Sequence, residues 1–440
     1  MGHRLGRRNS DVYQSSEHTI FYQDDGLPVH YDPISLQFTE ISSVHEKVLA
    51  DFSDSIDDVN KVTATYDNEQ LEAFDELVEA GLIGKPQENK SSLQESFCPN
   101  IVAFRIVLTE KCNLRCAECF VTKNNQKLTT ASLDQLDKTA DEIIRYSKSK
   151  QTMVHFFGGE PLIRFDYIKH LVERFNVEAK IKPNYSITTN ATLVTKEVAK
   201  FFYENSFRIA ISLDGDKELH DLLRPDASGQ GSYAKVMESY KLFRQSGNEP
   251  SLIITPHPKR LAELEKAFPK MLSDFKPKAV TINIPFDYEN LAWSVDGKVF
   301  ANFIINATEI CRNCGVRVSS ALSPILAAIS NQTPRNSPCS MFDDDVMVSI
   351  RTDGKMSFCS QKWHDDMVQK LPSPEETIVV KLAHQKKCES CIARTICGGP
   401  CPAYQIITKQ NVDNNKCVFM HSILAEIVKH LEWFEENEDS

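Results

Sequence analysis

The chain has 440 residues, 41% of them hydrophobic and 25% charged, with a formal net charge of −11. That length is a prior for roughly two to four domains with ordinary buried cores, and no apolar run reaches the ~18 residues of a membrane helix. The acidic balance argues against nucleic-acid binding, which draws on Lys and Arg contacts to phosphate.

Residues 1–18 read as a disordered tail, polar and basic from Met1 to Ser10 and without the apolar stretch of a signal peptide. A cytoplasmic enzyme with no membrane partner is the expectation. Thr19–Tyr22 and Leu36–Glu40 read as short strands, with Gly26, Pro28 and Pro33 as turn signals. Ser42 or Ser43 caps a helix through Val44, Val48, Leu49 and Phe52. Ile56–Val62 reads as a second helix, and Asn68–Leu82 as a third, with Leu71, Phe74, Leu77 and Leu82 at helical spacing. Strands followed by three short helices predict a winged-helix-like module over residues 19–85. Residues 86–100 read as a linker.

From Ile101 strands and helices alternate. The strands are Ile101–Leu108, Met153–Phe157, Tyr185–Thr189, Phe207–Leu213, Leu252–Thr255 and Val280–Ile284. The helices are Leu133–Tyr146 with Ser132 as N-cap, Phe165–Phe175, Lys196–Asn205, Tyr233–Ser246 and Leu261–Leu272. Repeated βα units predict an α/β fold with a parallel sheet, closed or partly closed into a barrel over residues 101–310. Function in such folds sits at the C-terminal ends of the strands. The loop Cys112-Asn113-Leu114-Arg115-Cys116-Ala117-Glu118-Cys119, the turn Gly158-Gly159-Glu160-Pro161, Asn190, Ser212 and Asp214 all fall there.

The cysteines carry the chemistry. There are 13, bunched at short range in a chain with no sign of secretion, so metal ligation is the better reading than disulfides. Three thiols in one loop are one short of a closed zinc site or a complete 4Fe–4S ligand set, which leaves a metal corner open to a substrate or cofactor. After a bridging stretch, residues 311–338, the segment 339–440 is cysteine-dense and sparse in secondary structure, as expected where metals replace a core. Cys417–Glu436 reads as an amphipathic helix.

Cys-x3-Cys-x2-Cys directly after a strand resembles the radical S-adenosylmethionine (radical SAM) family, over roughly Ile101–Pro285. The resemblance implies a partial (β/α)6 barrel in which Cys112, Cys116 and Cys119 hold a 4Fe–4S cluster whose open iron binds S-adenosyl-L-methionine (SAM). It further implies SAM contacts from Gly158, Gly159 and Glu160 to the amino group, from Asn190 to the ribose, from Ser212 as the polar residue at the next strand end, and from Arg224 to the carboxylate. The glycines would let the backbone approach the ligand closely. The chain departs from the family at Glu118. Many members carry an aromatic residue there, packed near the adenine.

Cys339…Gly354-x4-Cys359, Cys388-x2-Cys391-x5-Cys397-x3-Cys401 and Cys417 resemble the SPASM domain. That implies two auxiliary 4Fe–4S clusters, three clusters in all. Cys339, Cys359 and Cys401 would bind the first, and Cys388, Cys391, Cys397 and Cys417 the second. The first set is one thiolate short, so its iron is open to a substrate thiolate or is completed by Cys98, Cys311, Cys314 or a non-thiol ligand. No catalytic base can be named.

A winged-helix-like module ahead of such a chain resembles the recognition element of ribosomal peptide maturases. Such elements add a leader peptide as a strand to a sheet edge, here near Leu36–Glu40 with the Ser43–Phe52 helix as the other wall. The expectation is an enzyme that crosslinks a ribosomally synthesised precursor peptide, through a thioether or a carbon–carbon bond. Its electrons would come from a low-potential donor such as flavodoxin or ferredoxin. The alternatives are a sulfatase-maturase-like formylglycine-generating enzyme, a peptide epimerase, and a non-catalytic metal-stabilised binding protein.

Overall fold

Alternation with a period of two turns one side of each strand toward helices and the other toward a cavity, and this organises the middle of the chain. The computed structural model describes residues 14–15, 19–33, 35–54, 56, 58–84, 100–119, 121, 127–147, 152–287, 289, 292–335, 345–357, 359, 388, 391–410 and 412–435.

Part of the expected tail is structured: β1 (Gln14–Ser15) pairs antiparallel with β5 (Ile83–Gly84). The rest of residues 1–18, residue 85, and residues 86–99 of the expected linker lie outside the described residues. β2 (Thr19–Tyr22), β3 (Pro28–Asp32) and β4 (Gln37–Glu40) form an antiparallel sheet in that order. The central strand β3 was not expected. Its Pro, His and Asp obscure the strand pattern, yet all five residues are buried. Ser42 starts the Ser43–Asp51 helix with a reciprocal capping box to His45, and Asp67 starts Asn68–Glu79 the same way with Gln70. Val48, Leu49, Phe52, Phe74, Leu77 and Ile83 form this module's core, with Phe52 and Phe74 stacked at 5.4 Å. Its sheet docks on the C-terminal region: Phe38 stacks on Phe434 at 6.3 Å, and the Thr395 hydroxyl donates to the Pro33 carbonyl at 2.6 Å.

β6 (Asn100–Thr109), β7 (Met153–Gly158), β8 (Asn184–Thr189), β9 (Arg208–Ser212), β10 (Ser251–Ile254) and β11 (Ala279–Ile282) are parallel neighbours in chain order. This is the α/β partial barrel expected from the repeated units. Phe104, Ile106, Val154, Phe156, Ile187, Ile209, Ile211, Leu252 and Ile254 lie in the apolar core. Each such fully buried side chain contributes about 1.5–3 kcal/mol. The alternate residues Arg105, His155, Phe157, Thr188 and Ser212 face the cavity.

β12 (Phe286–Asp287) and β13 (Ala292–Trp293) form a separate antiparallel pair, and three more strands join the main sheet from beyond residue 310. β14 (Arg317–Ser319), in the expected bridging stretch, pairs in parallel with β11. β15 (Asp345–Ile350), in the expected cysteine-rich segment, pairs in parallel with β6, and β16 (Met356–Ser357) closes a hairpin on β15. The order is β14-β11-β10-β9-β8-β7-β6-β15-β16, with ends that do not meet. β14 and β15 cover the edge hydrogen-bonding groups that β11 and β6 would otherwise expose. The Asn414–Ile427 helix packs along Gly297–Asn313, with Phe419 against Trp293 at 4.9 Å and Phe300 at 5.6 Å. Among the described residues, no helix is long and apolar enough to cross a membrane.

Candidate active site

The strand ends open onto a cavity of about 630 Å³. Cys112, Cys116, Cys119, Gly158, Gly159, Glu160, Asn190, Ser212 and Arg224, all singled out in the sequence, line this one space.

The cysteine loop is stitched to its neighbours. Arg115 N–H donates to the Pro225 carbonyl at 2.7 Å and Ala117 N–H to the Leu223 carbonyl at 2.9 Å. Gly159 N–H donates to the Thr109 carbonyl at 2.8 Å and Glu160 N–H to the Lys111 carbonyl at 3.0 Å. A Cβ on Gly158 would fall 2.1 Å from the Thr109 oxygen, and one on Gly159 would fall 2.4 Å from the Glu110 oxygen. These glycines are needed for the contact of two backbones, the turn after β7 against the loop after β6. The sequence suggested ligand approach alone.

Glu160 is a bracket between strand ends. Its carboxylate accepts from Leu162 N–H at 3.0 Å, the Thr189 hydroxyl at 2.7 Å and Asn190 N–H at 2.7 Å. Burial pushes its carboxyl up to about 7, against the pull of those three donors. Asn190 Nδ2 reaches Asn113 Oδ1 at 3.0 Å and Cys112 Sγ at 3.7 Å. Arg224 is already engaged with protein groups: Nε donates to Asp214 Oδ2 at 2.7 Å, and Nη1 lies 3.8 Å from Cys116 Sγ. Two of its five N–H donors are used this way.

Behind Arg224, Asp214 N–H donates to His220 Nδ1 at 3.2 Å, so the His220 proton sits on Nε2, 3.0 Å from Ser232 Oγ. Ser232 in turn donates to the Arg224 carbonyl at 2.7 Å. Burial holds the His220 imidazole down to about 4, hence neutral. Glu118, which stands where the family's aromatic residue would be, lines the cavity with a carboxylate 3.5 Å from His257 Nε2. Phe120 lies outside the described residues.

Several cavity residues were not singled out in the sequence: Arg105, His155, His257, Arg335 and Lys416. Arg105 and His155 had a signal, a polar residue inside a hydrophobic strand run. Burial and the Arg105 charge hold His155 down to about 3. Lys416 and Arg335 come from distant segments, with Lys416 donating to the Gly399 carbonyl and Arg335 to the Ile396 carbonyl.

The described C-terminal cysteines do not line this cavity. Cys391 N–H donates to the Cys388 carbonyl at 3.0 Å, and Cys391 and Cys397 are both packed at the edge of the core. Cys359 lies near enough to influence Arg105, and Cys401 near Lys416, two residues that do line the cavity. Cys311 is fully buried in the apolar core and Cys314 is exposed. Cys98 and Cys339 lie outside the described residues. None of the described cysteines is in a disulfide.

Three thiols on one wall fit a 4Fe–4S cluster with one open corner. Burial, with the Glu160 charge beside it, pushes the Cys112 thiol up to about 12; coordination deprotonates such a thiol. Among the described residues, no three His, Cys, Asp or Glu side chains converge on a single ion. The polar groups of Asn190, Ser212 and Arg224 beside them fit a polar, charged ligand such as SAM.

Residues 106–268 match the model of the Radical SAM superfamily. A cysteine-type anaerobic sulfatase-maturating enzyme of Clostridium novyi (strain NT) is 32% identical over 168 residues, 36% of this chain and 45% of that protein. The chain spans about half the length of the curated relatives it matches, from 34% to 60% of the first three. The solved structure of native anSMEcpe with bound AdoMet is similar with a TM-score of 0.61 at 21% identity, covering 76% of this chain and 98% of that one. The structure of Streptococcus suis SuiB bound to precursor peptide SuiA is similar with a TM-score of 0.53 at 16% identity, covering 91% of this chain and 98% of that one. At these identities the likeness is one of fold. The family match, over the stretch that carries the three thiols and the strand-end contacts, makes residues 106–268 a radical SAM domain, and that family implies SAM and a 4Fe–4S cluster.

Proposed function

We propose that the chain is a radical SAM maturase that installs an intramolecular crosslink in a ribosomally synthesised precursor peptide. The observation that carries this reading is the single cavity lined by Cys112, Cys116, Cys119, Gly158, Gly159, Glu160, Asn190, Ser212 and Arg224. Cys112, Cys116 and Cys119 would hold the cluster. The Gly158–Gly159 backbone and Glu160 would orient the SAM amino group, Asn190 and Ser212 the ribose, and Arg224 the carboxylate. When bound, SAM and the cluster supply a 5′-deoxyadenosyl radical able to take hydrogen from a substrate carbon. The chain's own work is to orient and to exclude water. Glu160, with its three donors, fixes the ends of β7 and β8, and the Arg224–Asp214 pair fixes the end of β9.

Residues 19–85 would bind the leader. Among the described residues β4 pairs only with β3, which leaves an edge for an added strand beside the Ser43–Asp51 helix. The likeness to peptide-bound SuiB, which covers 91% of this chain, supports the same arrangement of parts. Residues 339–440 would carry the two auxiliary clusters, the first on Cys339, Cys359 and Cys401, the second on Cys388, Cys391, Cys397 and Cys417. The proximity of Cys359 to Arg105 and of Cys401 to Lys416, two residues that line the cavity, supports a first site near the cavity. That favours a thioether through a peptide cysteine over a carbon–carbon bond. A low-potential donor such as flavodoxin or ferredoxin would supply the electron.

A sulfatase-maturase-like activity is the second reading, favoured by the Clostridium novyi relative and by the 98% coverage of anSMEcpe. One experiment separates the two. The chain is reconstituted anaerobically, assayed for reductive SAM cleavage, and incubated with peptides encoded beside its gene. About twelve irons per chain and a product that has lost two hydrogens, kept its sulfur and carries no aldehyde support crosslinking. An aldehyde, from a cysteine that has lost its sulfur or a serine that has lost two hydrogens, supports the second reading, and no SAM cleavage refutes both.

A further inference from the structure

The Asn414–Ile427 helix presents two residues, one turn apart on one face, toward the cysteine turns: Cys417 and His421. His421 Nε2 lies 3.4 Å from Cys391 Sγ. The helix is anchored, not loose. Asp413 accepts from Asn415 N–H at 3.0 Å at its start, and Phe419, Met420, Ile423, Leu424 and Ile427 are buried along it. The face that carries Cys417 and His421 is therefore set by packing. His421 is exposed and Cys391 partly buried. An iron-bound thiolate offers only lone pairs. A contact at this distance then requires the proton on Nε2, with the imidazole donating. An N–H···S bond draws charge from the sulfur and favours the reduced cluster.

We propose that His421 is a positioning residue of the second auxiliary centre, donating a hydrogen bond to the Cys391 thiolate that raises the reduction potential of that centre. The inference rests on the reading that Cys388, Cys391, Cys397 and Cys417 hold a cluster.

The test uses the full chain, reconstituted anaerobically, as wild type, His421→Leu and His421→Gln. Iron is counted and the clusters are titrated with reductant under electron paramagnetic resonance. His421→Leu makes one auxiliary signal harder to reduce, by about tenfold in the equilibrium constant. His421→Gln, which keeps an N–H donor, restores most of the loss, and the SAM-binding cluster's signal stays in place. Full iron with one midpoint in all three proteins overturns the hydrogen-bond role. Loss of about four irons in His421→Leu also overturns it, since the imidazole would then be holding the cluster. A wild type that binds only about four irons refutes the auxiliary-cluster reading, and this inference with it.

Discussion

The barrel cysteines and the C-terminal cysteines are held in opposite ways. Cys112, Cys116 and Cys119 lie in a loop bonded by its backbone to the turn after β7 and to the Leu223–Pro225 segment, with Asn190 and Arg224 against two of the sulfurs. Cys388, Cys391, Cys397 and Cys401 sit in turns around helices of four and seven residues, whose ends are left-handed at Gly398 and Lys409. A loop fixed by its neighbours can keep three thiols in place before iron arrives. Turns with little packing of their own gain shape from the metal. On the proposed reading, the first site is organised for a ligand and the second by one.

The largest expected effect of breaking this contrast is on activity. Cys116→Ala abolishes SAM cleavage, while Cys391→Ala retains it within about tenfold and loses about four irons. Iron counting with a 5′-deoxyadenosine assay checks this, and equal loss of SAM cleavage in both variants would remove the distinction. Next comes Gly159→Ala, whose Cβ meets the Glu110 and Lys111 oxygens at 2.4 and 2.5 Å. It destabilises the barrel by about 3 kcal/mol in urea unfolding of the iron-free chain. Gly398→Ala, at φ +65°, costs about 1 kcal/mol.

The His220 relay behind Arg224 sharpens the same point through pH. Its folded pKa, about 4, is below the ordinary 6.5. The unfolded chain therefore binds the extra proton between those values. Stability is fully present above pH 6.5 and falls by about 1.4 kcal/mol per unit as pH drops toward 4. Unfolding of wild type and His220→Asn at several pH values should show that slope flattened in the variant. The smallest effect belongs to Glu118→Gln. A partly buried carboxylate, 26% exposed and 3.5 Å from His257, is worth about 1 kcal/mol or less, so the KM for SAM should move less than about fivefold. A much larger rise would mean that Glu118 touches the ligand.

The radical SAM loop was legible because its three thiols lie within eight residues, and the spacing of such a set survives any packing around it. The strands of the barrel were legible from their alternation, and Ser42 and Ser132 from the helices they precede. β3 was missed because its Pro28, His30 and Asp32 break the apolar pattern, and β14 to β16 because short strands late in the chain carry little periodicity of their own. The departure at Glu118 could be read as a departure, but its partner His257 lies 139 positions away and no local pattern joins them.

What the sequence determined by itself is which residues can do the chemistry: the thiol sets, the glycine turn, and the polar residues at the strand ends. Spacing along the chain is enough for these, because each set is local. Only the tertiary structure decided how they are employed. It made Gly158 and Gly159 a contact between two loops, Glu160 a bracket across two strands, and Arg224 the partner of Asp214. It also brought Lys416 to the cavity wall and His421 to Cys391. These are meetings of residues far apart in sequence, set by how strands and helices pack, and packing is a property of the whole fold that no single segment encodes.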